Sequence, residues 1–298
     1  MDVFFPARSF PTYVGKDAID AEGLSYKELN EEILRRALGG ARVIRVVNVR
    51  GHRFIGVNLP RHGIRDIKVE IYGTPGNSLA NLNNGVEFVV YGNAQDDVAD
   101  TMHDGRVIVH GDARDVLGQA LQGGEVFIRG NAGNRVGIQM REYRDRRPYL
   151  IIGGRVDDYL GEYMAGGVVM VLGIDSINRC SIPLVGKHVG SGMVGGRIYI
   201  RGKVPEQRIG LTIPYPELKE FLDAIKDEGL GQDEANRLLG VITHSEHVRR
   251  NRVEYRDLNE DEVRELEPII RRFAREFNVS ESIIDYLLSS RYTVVTAE

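Results

Sequence analysis

A repeat of about 19 residues is the feature that most restricts how this chain can fold, because a constant internal period decides the architecture before any local pattern does. Between Val89 and Gly137 the sequence gives one pattern three times: alternating apolar residues, a glycine, an Asn or Asp, a small or apolar pair, and a second glycine signal. The glycine that ends each alternating run is the anchor of its repeat. The anchors are Gly73, Gly92, Gly111, Gly130, Gly154, Gly173 and Gly202.

The spacing of the anchors shows where the repeat is interrupted. The three steps from Gly73 to Gly130 are equal, and the step from Gly154 to Gly173 has the same length. The steps that end at Gly154 and at Gly202 are longer than this period by five and ten positions. Those two differences indicate insertions into an otherwise fixed repeat.

The residues before each anchor predict a strand. Positions four and two before the anchor are apolar in every repeat, and most are β-branched, as in Val107 and Val109. The position between them is less restricted, and it holds Glu70, Val89, Ile108, Phe127, Ile151, Met170 and Tyr199. Alternation of this kind predicts a strand with one buried face.

The residues after each anchor predict a repeated corner. Position four after the anchor is Asn or Asp in five repeats, in the set Asn77, Asp96, Asp115, Asn134 and Asp158. These side chains tolerate turn geometry and hydrogen-bond the local backbone, so we expect them to form a ladder at one corner. Paired glycines such as Gly123–Gly124 and Gly166–Gly167 mark a second corner.

Identical residue types at the same phase of every repeat predict stacking of each repeat on the previous one. The expected fold is mainly β: a single-stranded, right-handed parallel β-helix, a solenoid of roughly seven coils. Paired glycines and β-branched runs would break a helix at this density. The expected domains are residues 1–66, an N-terminal α/β cap with one helix and a strand pair; residues 67–204, the β-helix; and residues 205–298, a linker and a C-terminal helical region.

The flanking segments predict short helices. Leu24–Gly40 has helical spacing, with Ser25 as N-cap, Glu28 completing a capping box and glycines as the stop signal. Residues 42–59 alternate, which predicts a strand pair that leads into and caps the first coil. After Gly202, helical patterns begin near Pro216, Gln232, Asn259 and Ser280, with Pro268 expected to kink or split the third segment. The tail RYTVVTAE is expected to be extended.

Composition excludes several classes of function. A net charge of -4 and a pI near 6.0 give no basic field for nucleic acid or an anionic membrane. No apolar run approaches the roughly 18 residues of a membrane helix, and MDVFFPARSF lacks the features of a signal peptide. The single cysteine, Cys180, excludes internal disulfides, Cys-based zinc sites and iron–sulfur ligation by this chain. We therefore expect a cytoplasmic protein.

Few residues suggest chemistry. Cys180 has no hallmark of a nucleophile and is interpreted as a buried thiol. His244 and His247 have a spacing that metal ligands use, but without a third ligand they fit a surface helix better. The pairs Asp96–Asp97 and Asp157–Asp158 could bind calcium, yet their alternation with Asn favours corner capping. We expect no catalytic, cofactor-binding or metal-binding residue in this chain.

The segment REYRDRRPY interrupts the repeat and is expected to protrude. Its candidate residues are Arg141, Arg144, Arg146, Arg147 and Tyr149. Two interpretations stay open: a solvated loop, or an interface with a partner, since Arg and Tyr are enriched at interfaces.

Several motifs resemble a known family. VEIYGTPGNSLANLNNG, RVIVHGDARDVLGQALQGG, VVMVLG and GSGMVGGRIYI are similar to the C-terminal domain of the glutamate synthase large subunit, the GXGXG domain, over about Val69–Gly202. The tail from Glu265 to Val295 resembles the closing segment of that subunit more loosely. A second relative of this kind is the formylmethanofuran dehydrogenase subunit that shares the GXGXG solenoid.

The resemblance implies a structural subunit without an active site. The enzyme it points to moves the amide nitrogen of glutamine to 2-oxoglutarate and gives glutamate. This chain has no N-terminal Cys nucleophile, no iron–sulfur cysteines and no room for an FMN barrel, so FMN and iron–sulfur clusters are expected in partners. Those partners would be a glutamine amidotransferase subunit and an FMN-dependent synthase subunit, with a homo-oligomer possible when the chain is isolated. The alternatives are a formylmethanofuran dehydrogenase component, an N-methylglutamate synthase scaffold, or an independent binding module.

Overall fold

The computed structural model describes residues 9–177, 183–212 and 249–297, with residues 223, 231, 233 and 237. The strands of this part of the chain are β1 (Ile19–Asp20), β2 (Val43–Arg50), β3 (Lys68–Thr74), β4 (Asn84–Tyr91), β5 (Asp104–Val109), β6 (Glu125–Ile128), β7 (Tyr149–Ile152), β8 (Ala165–Val171), β9 (Gly195–Arg201), β10 (Leu211–Thr212), β11 (Arg249–Arg250), β12 (Arg252–Asp257) and β13 (Arg291–Thr296). The helices are α1 (Tyr26–Leu38), α2 (Glu260–Glu276) and α3 (Glu281–Leu288).

One large open sheet organises the described residues. It has eleven strands in the order β1-β2-β3-β4-β5-β6-β7-β8-β9-β13-β12, and β10 pairs separately with β11. Every pairing from β1 to β9 is parallel, whereas β13 runs antiparallel to both β9 and β12. The described part is therefore mainly β, with few helices, as the sequence predicts.

The register of the sheet follows the sequence repeat. Val69 lies beside Phe88, Phe88 beside Val107, and Val107 beside Val126. The same column continues across the two longer steps, from Val126 to Leu150 and from Val169 to Ile198. The two longer steps thus leave the register of the flanking strands unchanged.

The inner face of the strands packs on the corner segments. Val107 and Val109 are completely buried in one cluster that also contains Leu79, Val98 and Leu117, the apolar residues six positions after the anchors. Each repeat thus supplies both a strand and the corner residue that covers it. Apolar surface removed from water contributes about 25 cal/mol per Å², so burial of this cluster stabilises the fold.

The outer face of the strands is buried as well, which corrects the expectation of one buried face. The position three before each anchor, whose residue type varies most, is almost fully buried in six repeats: Val89, Ile108, Phe127, Ile151, Met170 and Tyr199. These side chains form a second cluster with Leu266, Ile270 and Phe273 of α2. A parallel sheet covered on both faces has apolar residues at successive positions, and residues 107–109 show that pattern.

The helices begin where the sequence predicts. Ser25 and Glu28 form the capping box of α1, and Gly39 is its C-cap. Asn259 and Glu262 form the capping box of α2. Helix α2 runs through Pro268 without a break, so the predicted split is wrong. Ser280 is the N-cap of α3, but its side chain makes no capping hydrogen bond.

Of the flanking segments, residues 42–59 differ from the expectation and the C-terminal tail agrees with it. Residues 42–59 hold one strand, β2, followed by turns, and the partner of β2 on the N-terminal side is β1. The tail is extended as predicted, and as β13 it joins the sheet beside β9. Of the helical patterns predicted from Pro216 and Gln232, the structure describes residues 223, 233 and 237, which are helical, and residue 231; the other residues of those segments up to 248 lie outside the described part.

The corners hold many residues in the left-handed region. In three successive repeats, Asp97, Val116 and Arg135 have φ of 64°, 52° and 57° at the same position. Their N–H groups donate to the carbonyl oxygens of Asp115, Asn134 and Asp158 in the next repeat, at 2.9 Å each. The stacking hydrogen bonds thus hold a conformation that β-branched residues rarely adopt.

We expect Val116→Asn to raise the free energy of unfolding by about 1 kcal/mol, because asparagine tolerates positive φ better than a β-branched residue. Urea denaturation of the two proteins measures the difference. Val194→Asn is the control, since Val194 is exposed and has no positive φ. A variant no more stable than the wild type would show that the corner hydrogen bonds store no strain at Val116.

Candidate functional site

The predicted corner residues form a ladder of side-chain to backbone hydrogen bonds. Oδ1 of Asp115 accepts from the N–H of Asn134 at 2.8 Å, and Oδ1 of Asn134 accepts from the N–H of Asp158 at 3.2 Å. Oδ1 of Asp96 accepts from Asp115, and Asn77 donates to Asp96. The ladder ends where Asp158 accepts from the N–H of Lys187 at 2.7 Å. These acceptors bind the chain's own backbone, which gives the column a structural role.

A second ladder, which was not predicted from the sequence, follows the anchor glycines directly. The N–H of Asp112 donates to Oδ1 of Asn93 at 2.9 Å, and the N–H of Asn131 donates to Oδ1 of Asp112 at 2.7 Å. Oδ1 of Asn131 then accepts from the N–H of Arg155 at 2.9 Å. The signal was present in the sequence as an Asn or Asp immediately after three successive anchors.

The anchor glycines are positions of close approach between repeats. The N–H of Gly111 donates to the carbonyl oxygen of Gly92, and the N–H of Gly130 to that of Gly111, both at 2.9 Å. A Cβ on Gly92 would clash with the carbonyl oxygen of Gly73, and a Cβ on Gly111 with Oδ1 of Asn93. Any side chain at these anchors would therefore push successive repeats apart.

A row of alternating charges crosses the sheet five residues before the anchors. Lys68 Nζ lies 3.1 Å from a carboxylate oxygen of Glu87, and Arg106 lies 3.2 Å from Glu87 and 3.0 Å from Glu125. A groove of about 600 Å³ follows this row and is also lined by Arg42. Half of its charged side chains belong to this paired row, and the groove presents both signs of charge.

Helix α2 supplies the carboxylate of Glu265, which pairs with Arg197, the last charged residue of this row. Glu265 accepts from Arg197 at 2.7 Å, from Arg147 at 2.9 Å and from the hydroxyl of Tyr149 at 3.1 Å. Burial opposes the ionisation of Glu265, but the hydrogen bonds from Arg197 and Arg147 outweigh it and hold its pKa below the ordinary value. Arg272 of α2 binds Glu125 in return, at 2.9 Å.

Glu262 joins the start of α2 to the sheet. It accepts from the hydroxyl of Tyr199 at 2.8 Å and from two nitrogens of Arg256, at 2.6 and 2.9 Å. Burial would raise the pKa of Glu262, but the hydrogen bonds from Arg256, the N–H of Asn259 and Tyr199 lower it to about 2. The carboxylate is thus charged at all physiological pH values.

We expect Glu262→Gln to lower the free energy of unfolding at pH 7 by about 2–3 kcal/mol, since the folded-state pKa lies well below the ordinary 4.5. A depressed pKa contributes stability above the unfolded-state value, and that contribution disappears as the pH falls from about 4.5 towards 2. Urea denaturation at a series of pH values should show the two proteins converging over this range. Glu260→Gln, at an exposed residue of the same helix turn, is the control. An equal loss at every pH would mean that charge is not the cause.

A stacked aromatic row lies next to the anchors. The rings of Tyr72 and Tyr91, and those of Tyr91 and His110, have centroids 4.8 Å apart, and Phe277 meets His110 edge-on at 5.1 Å. Burial raises the pKa of Tyr72 to about 12 and lowers the pKa of His110. The row is thus uncharged near neutral pH and packs the end of α2 against the sheet.

The segment 141–149 forms a small hairpin in which the five candidate residues divide into two groups. Arg146 donates to the carbonyl oxygen of His103 at 3.2 Å, Arg147 binds Glu142 and Glu265, and Tyr149 binds Glu265. Arg141, Arg144 and Arg147 are all exposed. The structure therefore gives Arg146, Arg147 and Tyr149 partners within the chain, whereas Arg141 and Arg144 form no side-chain hydrogen bond or ion pair with a described residue.

The remaining candidates give no reactive centre among the described residues. Cys180, His244 and His247 lie outside that part of the chain. Asp97 accepts from the hydroxyl of Ser78 at 2.7 Å, which is a corner contact. Where the structure describes the chain, no group of three or more His, Cys, Asp or Glu side chains is placed to hold a metal ion. Within the same residues, no helix has the length and apolar character needed to cross a membrane.

Two comparisons relate this chain to known proteins. A family model described as "GXGXG motif" matches residues 26–211, which begin at α1 and include β2 to β9. An uncharacterized protein of Methanocaldococcus jannaschii is 38% identical over 280 residues, covering 93% of this chain and 90% of the relative. The similarity to the relative thus extends beyond the repeat into both flanking segments.

Proposed function

The chain belongs to the GXGXG motif family, and on that premise we propose that it is a structural subunit of a glutamate synthase-like complex. Such a complex moves the amide nitrogen of glutamine to 2-oxoglutarate and gives glutamate. In this proposal the amidotransferase and the FMN-dependent synthase are separate subunits, and any iron–sulfur cluster is in a partner. A cytoplasmic location is part of the proposal. The observation that supports it best is the extent of the family match, which spans every parallel strand from β2 to β9.

We also propose that the repeats form a right-handed parallel β-helix. Stacking hydrogen bonds at the corners support this, because they join successive repeats outside the strands as well. Gly118 donates to the carbonyl oxygen of Val98 and Gly137 to that of Leu117, both at 2.8 Å, while Thr101 donates to Gln119 at 2.8 Å. Strand and corner therefore advance together with each repeat.

A structural role is consistent with how the polar side chains are used. The Asn and Asp ladders bind backbone N–H groups of the next repeat, and most of the charged row pairs with itself or with α2. Repeats that are hydrogen-bonded to one another in the strands and at the corners are expected to move little when a partner binds. Such rigidity suits a subunit that holds two catalytic partners at a fixed separation.

Affinity purification of the tagged chain from its native cells tests the proposal. We expect mass spectrometry to identify a glutamine amidotransferase and an FMN protein in stoichiometric amounts, with flavin absorbance in the eluate. Recovery of a molybdopterin or tungstopterin subunit instead would point to a formylmethanofuran dehydrogenase. A homo-oligomer without partners would contradict both assignments.

A further inference from the structure

We propose that the hairpin 141–147 docks into an acidic surface of a partner subunit through the exposed side chains of Arg141, Tyr143 and Arg144. The inference rests on the proposed function and names one of the surfaces through which the complex assembles. It depends on three observations: a hairpin backbone fixed to the rest of the chain, exposed cations without a partner in the chain, and an insertion that leaves the repeat undisturbed.

The hairpin is held by a backbone bridge of its own and by side-chain contacts with other parts of the chain. Tyr143 and Arg146 form an antiparallel bridge, with backbone hydrogen bonds of 3.2 and 3.1 Å. Arg146 reaches the carbonyl oxygen of His103, and Arg147 binds Glu142 at 2.7 Å and Glu265 of α2 at 2.9 Å. The hairpin therefore needs no partner to be ordered, and a docking element fixed in advance loses little conformational entropy on binding.

Two arginines of the hairpin have no charged partner among the described residues. Arg141 and Arg144 are exposed, and neither forms a side-chain hydrogen bond or ion pair with any residue that the structure describes. The guanidinium of Arg144 lies 5.2 Å from the ring centroid of Tyr143, and Tyr143 keeps 44% of its surface exposed. This contact orients two exposed side chains of the types most enriched at binding hot spots.

The charge of the hairpin decides which partner fits. Residues 141–147 contain four arginines and two carboxylates, which leaves a net charge of +2 in a chain whose total is -4. Of the two carboxylates, Glu142 already binds Arg147, which leaves Asp145. Guanidinium groups favour carboxylates, which they bind in a planar, bidentate manner. The matching surface on the partner is therefore acidic.

The place of the hairpin in the repeat fits a docking role. The step from Gly130 to Gly154 contains it and is longer than the basic period, yet Val126 and Leu150 on either side of the hairpin stay in register. The added residues thus leave the strand register intact, and the side chains of Arg141, Tyr143 and Arg144 are exposed. Changes to these three side chains should affect binding without affecting the fold.

The test compares three tagged proteins recovered from native cells: the wild type, the double variant Arg141→Glu/Arg144→Glu, and the control Arg114→Glu/Arg264→Glu. The control changes the net charge equally at two side chains that are 70% and 77% exposed. We expect the hairpin variant to lose about tenfold or more of at least one catalytic partner, because like charges face each other across an interface. The control should keep both partners, and all three proteins should have the same melting temperature. Tyr143→Ala serves as a charge-neutral second variant and should weaken recovery of the same partner.

The three proteins distinguish a failure of this inference from a failure of the proposed function. The wild type alone decides whether an amidotransferase and a flavin protein bind, and their absence would overturn both proposals. If the wild type recovers them and the hairpin variant does so equally well, the docking inference is wrong and the proposed function stands. An equal loss from the control would also overturn the inference, since net charge rather than the hairpin would then be responsible.

Discussion

Replacement of Phe273 by alanine will lower the free energy of unfolding by about 3–5 kcal/mol, as expected for a large side chain removed from a tightly packed core. Phe273 lies on α2 and is completely buried. Its ring meets Phe127 of the outer sheet face at 5.7 Å between centroids and Phe277 at 4.7 Å. The cavity would open between helix and sheet, where neither rigid element can collapse to fill it. Urea denaturation measures the loss.

The control for Phe273 is Arg264→Ala on the same helix. The side chain of Arg264 is 77% exposed, and its ion pair with Asp261 is at the surface, so a change below about 0.5 kcal/mol is expected. If Phe273→Ala were as mild as the control, α2 would not be a structural part of the sheet. It would then have to be a detachable cover.

Replacement of Gly92 by alanine is expected to cost about 3 kcal/mol or more, through overpacking rather than through a cavity. The added methyl group would meet the carbonyl oxygen of Gly73, which belongs to β3, a strand paired with β2 at Gly73 and with β4 up to Tyr72. One repeat would have to move away from the next, and the stacking hydrogen bond between the N–H of Gly111 and Gly92 would lengthen from 2.9 Å. Thermal and urea denaturation both report the effect.

Gly202→Ala separates this clash from simple backbone strain. Gly202 is an anchor in the same sequence column, but a Cβ there would meet no atom within 4 Å, and its φ is +87°. We expect a cost of about 1–2 kcal/mol from the left-handed conformation alone. Equal losses at Gly92 and Gly202 would mean that contact between repeats is not what requires glycine.

The repeat made much of the fold predictable, because each column of residues appears many times. Apolar positions four and two before the anchors predicted the inner strand face, and the structure pairs Val107 with Val126 in that column. Short-range signals worked equally well at Ser25 and Asn259, since a capping box depends only on residues three apart.

The outer face could not be predicted in the same way. Val89, Ile108 and Phe127 alternate with the inner column, so the pattern alone does not reveal what covers them. Their cover is α2, which lies far from these strands along the chain, and no local signal links the two segments. The continuous apolar runs were the available clue, because they are typical of parallel sheets buried on both faces.

The sequence likewise could not show which arginines of the hairpin have partners within the chain. Arg141, Arg144, Arg146 and Arg147 are four similar residues, and only the positions of His103 and Glu265 separate the pair with partners from the pair without them. The missed ladder at Asn93, Asp112 and Asn131 is a different kind of failure. Its pattern was visible, but its meaning required knowing that a side chain of one repeat reaches the backbone of the next.

The most direct test of the structural role is glutamate formation from glutamine and 2-oxoglutarate, with and without this chain. The two partner subunits would be purified separately and assayed alone, together, and with the chain added. We predict that the chain alone has no activity and that the partners without it keep glutamine hydrolysis and flavin reduction but form little glutamate from glutamine. Addition of the chain should restore the coupled reaction. Full coupled activity without the chain, or turnover by the chain alone, would contradict the account.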